Sequence, residues 1–237
     1  MGKRRYFTLL ELLIVISIII ILISILMPSL RTAKGKANEI LCLSNLKQSG
    51  LSVLQYADDN GGWSPCSYRP WSSRQWGSWL ISLDYLPGND SNGLLGKSSI
   101  IVCPSAPPYG KYNHLNNTYG FRRQGGEQTF YQLYRGNITC MFYTSPSTYT
   151  PYAYPSTNWH PSKAVIIADT KDYAIENKKQ YYSFQTTVTG SSTTRRMHTR
   201  HSNAANVWFP DGHSGRLTDS YLAENGFKFF DLNGIEH

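Results

Sequence analysis

The run from Phe7 to Leu30, FTLLELLIVISIIIILISILMPSL, constrains the fold more than any other part of the chain. Only one residue in it, Glu11, is charged. About 20 apolar residues, each rising about 1.5 Å in a helix, span the hydrocarbon core of a bilayer. A secretory signal peptide also opens with a basic region and an apolar stretch, but its apolar part is shorter and ends at a small-residue cleavage site. Here the run is too long and no such site follows it. The basic residues Lys3, Arg4 and Arg5 precede the run, while Arg31, Lys34 and Lys36 flank its other end. The positive-inside rule places the first cluster in the cytoplasm. The sequence therefore predicts a single-pass membrane protein; with basic residues at both ends, the expected orientation, N-terminus cytoplasmic and the remainder periplasmic or extracellular, rests partly on the kind of protein this is.

Glu11 is the most informative residue of the run. An unpaired carboxylate in hydrocarbon is costly, and its own helix is expected to offer it no partner. Two readings follow. Either Glu11 lies near the interface, where water reaches it, or another chain supplies the partner. A free amine at Phe7, made by removing the residues before it, would be a natural cation for a neighbouring copy's Glu11.

The segment Phe7-Thr8-Leu9-Leu10-Glu11-Leu12-Leu13 resembles the N-terminal signature of type IV pilins and type II secretion pseudopilins. The resemblance implies a leader of residues 1–6, cut between Tyr6 and Phe7 by a prepilin peptidase, and methylation of the new N-terminus. It also implies that Glu11 pairs with the Phe7 amine of an adjacent subunit. The family usually carries Gly where this chain has Tyr6. Pro28 matches a proline that the family often has near the end of its membrane helix. By its own chemistry Pro28 removes one helix hydrogen bond, so a kink is expected there.

After Pro28 the helical pattern continues to about Asp59. Ile40, Leu43, Leu46, Leu54 and Ala57 recur at helical spacing and predict one apolar stripe. A helix from Phe7 to Asp59 would be roughly 80 Å long. Asp58-Asp59-Asn60-Gly61-Gly62 is a stop signal. The expected organisation is a leader at 1–6, a transmembrane and assembly helix at 7–30, its amphipathic continuation at 31–60, and a β-rich domain at 61–237. In that domain Ile100-Ile101-Val102, residues 136–143, Lys163 to Asp169 and Tyr181 to Val188 read as strands. Residues 143–161 read as an exposed loop. The fold class expected is α+β, a long N-terminal helix packed on an antiparallel sheet, pilin-like.

Near the C-terminus, Asn206-Val207-Trp208-Phe209 and His213 to Leu217 flank Pro210-Asp211-Gly212, a hairpin signal because Asp and Gly tolerate positive φ. His201 stands ten residues before Asp211, followed by Gly212. This spacing resembles the His-x9-Asp-Gly segment of one large group of pilin-like proteins. Cys42 to Gln48, Tyr56 to Gly61, Cys103-Pro104, Tyr119-Gly120 and Pro161 to Asp169 resemble the same group. His201, Asp211 and His213, with Asp169, can also be read as a metal or acid–base cluster. Asp211 before Gly is already explained as a turn residue, however, and His201 as a partner for the turn's backbone.

Four cysteines, Cys42, Cys66, Cys103 and Cys140, lack the close pairs of a zinc site. In an exported domain they permit two disulfides, with three connectivities. Cys42 on the helix and Cys103 before a proline are candidates for a bridge between helix and sheet. Cys66 and Cys140 are candidates for a second. Trp63, Trp71, Trp76 and Trp79 suggest either an aromatic binding surface or core filling.

Charged residues make up only 16% of the chain, below the quarter or so of soluble domains, which suits an exported surface. The net charge of +8 is scattered, and no nucleic-acid module accompanies it. The expected function is a structural subunit of a type IV pilus-like filament or a type II secretion pseudopilus. The resemblance implies other pilin-like subunits, a prepilin peptidase and inner-membrane assembly machinery as partners, with no nucleic acid. A single-copy membrane-tethered module that binds carbohydrate or a surface is the alternative. An exported metal-dependent hydrolase is the second, and it requires a cleft with convergent ligands. The sequence displays none, so neither enzymatic activity, nor a cofactor, nor a metal is expected.

Overall fold

The structure is a computed structural model. It describes residues 8–66, 68–69, 74–87, 94–95, 100–106, 112–113, 118–123, 128–133, 138–143, 151–153, 159–172, 180–186, 195–233, 235 and 237. The expected cleavage point, Tyr6 and Phe7, lies outside these residues, as do Trp71 and most of the loop at 143–161. The chain divides into two compact units, Met1–Ala37 and Asn38–His237.

Helix α1 (Leu9–Asp59) continues past both Pro28 and Gly50. Its start is a capping box. The Thr8 hydroxyl accepts from Glu11 N at 3.2 Å, while Glu11 Oε2 accepts from Thr8 N and from Thr8 Oγ1, each at 2.8 Å. Two of the backbone donors that a helix start leaves open are thereby satisfied. This corrects the reading that Glu11 has no partner within its own helix: Thr8 hydrogen-bonds it, although a hydroxyl and an amide do not neutralise its charge. The helix stops where Gly62 N reaches back to Ala57 O at 2.8 Å. Gly61 and Gly62, at φ +62° and +86°, allow that reversal. Within the first unit every described residue, 8–37, is exposed.

In the second unit α1 buries Cys42, Asn45, Leu46, Ser49, Gly50, Val53 and Ala57. The spacing is helical, and Leu46 and Ala57 of the expected stripe are buried with Leu54 packed beside them, but Ile40 is 68% exposed and small or polar residues form much of the buried face. Their size explains this. An added Cβ on Gly50 would lie 2.1 Å from the Trp208 ring, so only glycine lets the indole approach this closely. Asn45 Nδ2 and Ser49 Oγ donate to the carbonyls of Val102 and Ile100 at 3.3 and 2.9 Å. They hold the segment 100–103 against the helix. That segment is a turn and a bend, not the strand expected for Ile100–Val102.

The strands, in chain order, begin with two short antiparallel pairs. β1 (Tyr68–Arg69) pairs with β2 (Arg74–Gln75), and β3 (Leu94–Leu95) with β4 (Tyr112–Asn113). Helix α2 (Trp76–Ser82) follows β2. Next come β5 (Gly120–Arg123), β6 (Gln128–Gln132), β7 (Thr139–Tyr143), β8 (Pro151–Ala153), β9 (Ile167–Ala168), β10 (Thr170–Asp172) and β11 (Ser183–Gln185). The chain closes with β12 (Arg195–His198), β13 (Ala204–Trp208), β14 (Ser214–Thr218), helix α3 (Asp219–Glu224) and β15 (Phe229–Phe230). A five-stranded sheet has the order β11-β5-β9-β13-β14, and two three-stranded sheets have the orders β10-β12-β15 and β6-β7-β8.

The α+β class holds, but the sheet is mixed rather than antiparallel. β11 runs parallel to β5, with Ser183 opposite Phe121, and β15 runs parallel to β12, with Met197 opposite Phe229. β13 and β14 form an antiparallel hairpin whose turn has Gly212 N bonded to Phe209 O at 3.0 Å and Gly212 at φ +91°. Side chains of β9 and β13 alternate between two apolar clusters, as the period of a strand requires. Ile167 and Trp208 join Cys42, Leu46, Val53, Trp76, Tyr119 and Phe121 in one; Ala168, Ala205 and Val207 join Phe184, Met197, Leu222 and Phe229 in the other. Trp76 is fully buried and donates its indole N–H to Tyr119 O at 3.0 Å, which makes it core rather than binding surface.

The Gly50–Trp208 contact is testable. Gly50→Ala should improve helix propensity yet destabilise the domain, because overpacking costs about 1–3 kcal/mol. In a domain of this size the melting temperature should fall by about 2–4 °C per kcal/mol. An unchanged or raised melting temperature would show that the contact is not tight.

Candidate functional site

Four side chains converge inside the second unit: Cys42, Cys103, Asp169 and His201. One sulfur, nitrogen or oxygen atom from each lies within 4.8 Å of all the others, and all four residues are buried. Each comes from a different part of the fold. Cys42 lies on the buried face of α1. Cys103 ends the segment held by Asn45 and Ser49, and its own N–H donates to Gln180 Oε1 at 3.1 Å. Asp169 is the single residue between β9 and β10, where the chain leaves the five-stranded sheet for the sheet β10-β12-β15. His201 opens the turn between β12 and β13, where the chain returns. That turn pairs His201 with Ala204 through both backbone hydrogen bonds, each 3.1 Å, with Ser202 and Asn203 at φ +50° and +58°.

Asp169 joins the two sheets through its backbone as well. Its N–H donates to Asn206 O on β13 at 2.9 Å, and its carbonyl accepts from His198 N on β12 at 3.0 Å. Its carboxylate is fully buried. Oδ2 accepts from the Cys42 thiol at 3.4 Å and from Asn206 N at 3.3 Å, and lies 3.3 Å from His201 Nε2. Arg200 Nε is 3.8 Å from Oδ1. Cys103 Sγ lies 3.3 Å from the same His201 Nε2. Tyr119 donates its hydroxyl to the Cys42 sulfur or carbonyl, both at 3.2 Å.

These contacts set the direction in which the ionisation of each group moves. Burial pushes the Asp169 carboxyl up, but the His201 hydrogen bond and the Arg200 charge outweigh it and hold it below its usual range. Burial alone would lower His201; its hydrogen bonds to Asp169 and Cys103 instead raise it to about 10. Burial lifts the Cys42 thiol well above its ordinary value. For Cys103, hydrogen bonds from Cys42 and His201 overcome burial and bring the thiol down to about 7. His198, at the end of β12, goes the other way. Burial, followed by the charges of Arg200 and Lys171, depresses it to about 2, so it is neutral.

The sequence reading weighed His201 with Asp211, His213 and Asp169. The structure unites His201 with Asp169 and leaves the other two in a turn of their own. Asp211 Oδ1 accepts from His213 N at 3.1 Å, and the His213 ring stacks on Phe209 with centroids 4.2 Å apart. The His-x9-Asp-Gly spacing is thus the length of β13 between its two turns. Cys42 and Cys103 are neighbours, as the expected bridge required, but they are free thiols. Each sulfur is taken up by a polar partner, Asp169 for one and His201 for the other. The side chain of Cys140, the expected partner of Cys66, lies outside the described residues.

The expectation of a chain without enzymatic chemistry does not stand. Two thiols, an imidazole and a carboxylate packed this closely are a group set that can bind a metal or support thiol–imidazole chemistry. Sequence reasoning missed the quartet because the cysteines and the His–Asp pair were judged separately. The shared signal was that all four sat in fragments resembling one group of proteins.

A second concave feature, a cavity of about 280 Å³, is lined by Arg122, Trp159, Lys163, Tyr221 and Phe227 among others. The Arg122 guanidinium lies 3.8 Å over the Trp159 ring and donates to Thr186 Oγ1 at 3.1 Å. Comparison with protein-family models, curated proteins and solved structures finds no match for this chain. The likeness to pilins therefore rests on the residues quoted for it.

Asp169→Ala should leave His201 and Arg200 facing an empty buried space. Removing one partner of a buried charge pair costs about 3–5 kcal/mol, which corresponds to a fall of roughly 10 °C in melting temperature. Asp169→Asn, which keeps the shape and some hydrogen bonds, should cost less. Equal stability of Asp169→Ala and the parent chain would show that the carboxylate does not organise the junction.

Proposed function

We propose that this chain is a membrane-anchored pilin-like subunit, whose apolar helix packs against those of neighbouring copies in a pilus-like filament or a secretion pseudopilus. One observation carries the reading: residues 9–30 are all exposed. They belong to the one helix among the described residues that is long and apolar enough to cross a membrane. Contiguous apolar surface on this scale is not left to water; it marks a membrane or protein contact. Lipid would cover it before assembly, and the helices of other subunits afterwards.

Glu11 would then act twice. Thr8 satisfies part of its hydrogen bonding within the helix, but the negative charge still needs a cation. In the assembled state the Phe7 amine of a neighbour, exposed by a prepilin peptidase, would supply it and fix the axial stagger. The folded unit, residues 38–237, would be displayed outside the inner membrane, with the N-terminus facing the cytoplasm and inner-membrane machinery driving assembly. The cavity beside Trp159 favours a second reading, a tethered module binding a carbohydrate or a surface, since aromatic and basic side chains line it.

Two variants separate the roles of Glu11. Thr8→Ala removes the local cap but keeps the charge; Glu11→Leu removes both. Sheared-filament yield, normalised to membrane-bound protein, should stay near the parent level for Thr8→Ala and fall to background for Glu11→Leu. Filament subunits should also show the mass of a chain lacking residues 1–6 and carrying one methyl group. Normal filaments from Glu11→Leu, or a full-length unmethylated mass, would favour the tethered module.

A further inference from the structure

We propose that Cys42, Cys103, Asp169 and His201 form a tetrahedral zinc(II) site that pins α1 to the junction of the two sheets. The inference concerns the second unit alone and does not depend on how the N-terminal helix assembles.

The argument begins with which atoms meet. In a thiol–imidazole–carboxylate triad the two partners occupy opposite nitrogens of the ring. Here Cys103 Sγ and Asp169 Oδ2 both approach the same nitrogen, His201 Nε2, each at 3.3 Å. One nitrogen carries at most one proton, so it cannot serve two such partners equally well. Asp169 Oδ2 ties the second thiol to the same centre, with Cys42 Sγ at 3.4 Å and His201 Nε2 at 3.3 Å. Lone-pair donors that converge on one another, rather than each on its own proton, are arranged around a common point.

The distances suit zinc at that point. Bonds of about 2.3 Å to sulfur and 2.0–2.2 Å to nitrogen and oxygen give tetrahedral ligand–ligand edges of roughly 3.4–3.8 Å. Three of the six separations between donor atoms of the quartet are 3.3–3.4 Å, and all six lie within 4.8 Å. Small outward shifts of the donor atoms would admit the ion.

Donor chemistry selects the metal. Thiolate sulfur disfavours magnesium and calcium, and zinc accepts cysteine sulfur, histidine nitrogen and carboxylate oxygen together in a tetrahedral site. Charge agrees. Two thiolates and a carboxylate carry three negative charges, which zinc(II) and the Arg200 guanidinium, 3.8 Å from Asp169 Oδ1, together cancel. Tyr119 donates toward the Cys42 sulfur, as groups outside a metal's own ligands commonly do. All four ligands would come from buried protein residues, so the coordination shell would be closed. A closed shell would tie a helix residue, a loop residue and both sheet corners to one atom.

The test uses the full chain, solubilised in detergent and purified with zinc in the medium and a reductant that does not chelate it. Mass spectrometry for metal content should find one zinc per chain. Cys42→Ser and His201→Ala should lose it, whereas His201→Cys, which restores a ligand, should retain it and the parent's melting temperature. Because a ligand variant can fail to fold, the parent chain is also refolded with cobalt(II). Tetrahedral thiolate coordination should give intense visible d–d bands and a sulfur-to-cobalt charge-transfer band. Protein without stoichiometric zinc and without those bands would overturn the proposal. So would a Cys42–Cys103 disulfide in the native protein, found by alkylation before reduction.

Discussion

The second unit depends on satisfying one carboxylate. Asp169 is fully buried, and an ionised group out of water is tolerated only with close partners. Those partners are drawn from α1, the β12–β13 turn and β13 itself. Each element thereby acquires a fixed position. Asp169 sits where the chain passes from one sheet to the other, so its backbone serves both ladders while its side chain fixes the helix. Arg200, next to His201, completes the balance of charge from the other side. With zinc in place the same four groups would become ligands, and the junction would be held by coordinate bonds.

Around this centre the packing is close and unforgiving. Gly50 admits the Trp208 indole where any side chain would collide. Asn45 and Ser49 hold the carbonyls of the segment that carries Cys103. The face of α1 in the second unit is therefore chosen for small size and hydrogen bonding as much as for apolarity. Earlier in α1 the choice is reversed: residues 9–30 are almost wholly apolar and exposed. A single helix thus carries two kinds of surface, one packed in the second unit and one apolar and exposed.

Much of this architecture was legible from local chemistry. The helix end at Asp59 was written in the glycines that follow it, and the β13–β14 turn in Asp211-Gly212. The capping box was written in Thr8 and Glu11 but was overlooked, because attention to lipid hid an ordinary helix-start pattern. The mixed character of the sheet was not legible. Parallel pairs such as β5 with β11 join strands far apart in sequence, and no turn signal announces them. The buried stripe was misplaced toward Ile40 because apolarity alone was counted, while Cys42, Ser49 and Gly50 were passed over. The quartet escaped for a related reason: its members are scattered, and convergence is a property of the fold rather than of spacing.

X-ray absorption at the zinc edge tests the central claim most directly, because it reads the ligands rather than the stability they confer. On the purified full chain, the account predicts a four-coordinate shell with two sulfurs at about 2.3 Å and two nitrogen or oxygen atoms at about 2.0–2.2 Å. It also predicts the outer-shell scattering of one imidazole, lost in His201→Cys as a third sulfur appears. A shell of nitrogen and oxygen alone, or a spectrum unchanged by His201→Cys, would contradict it.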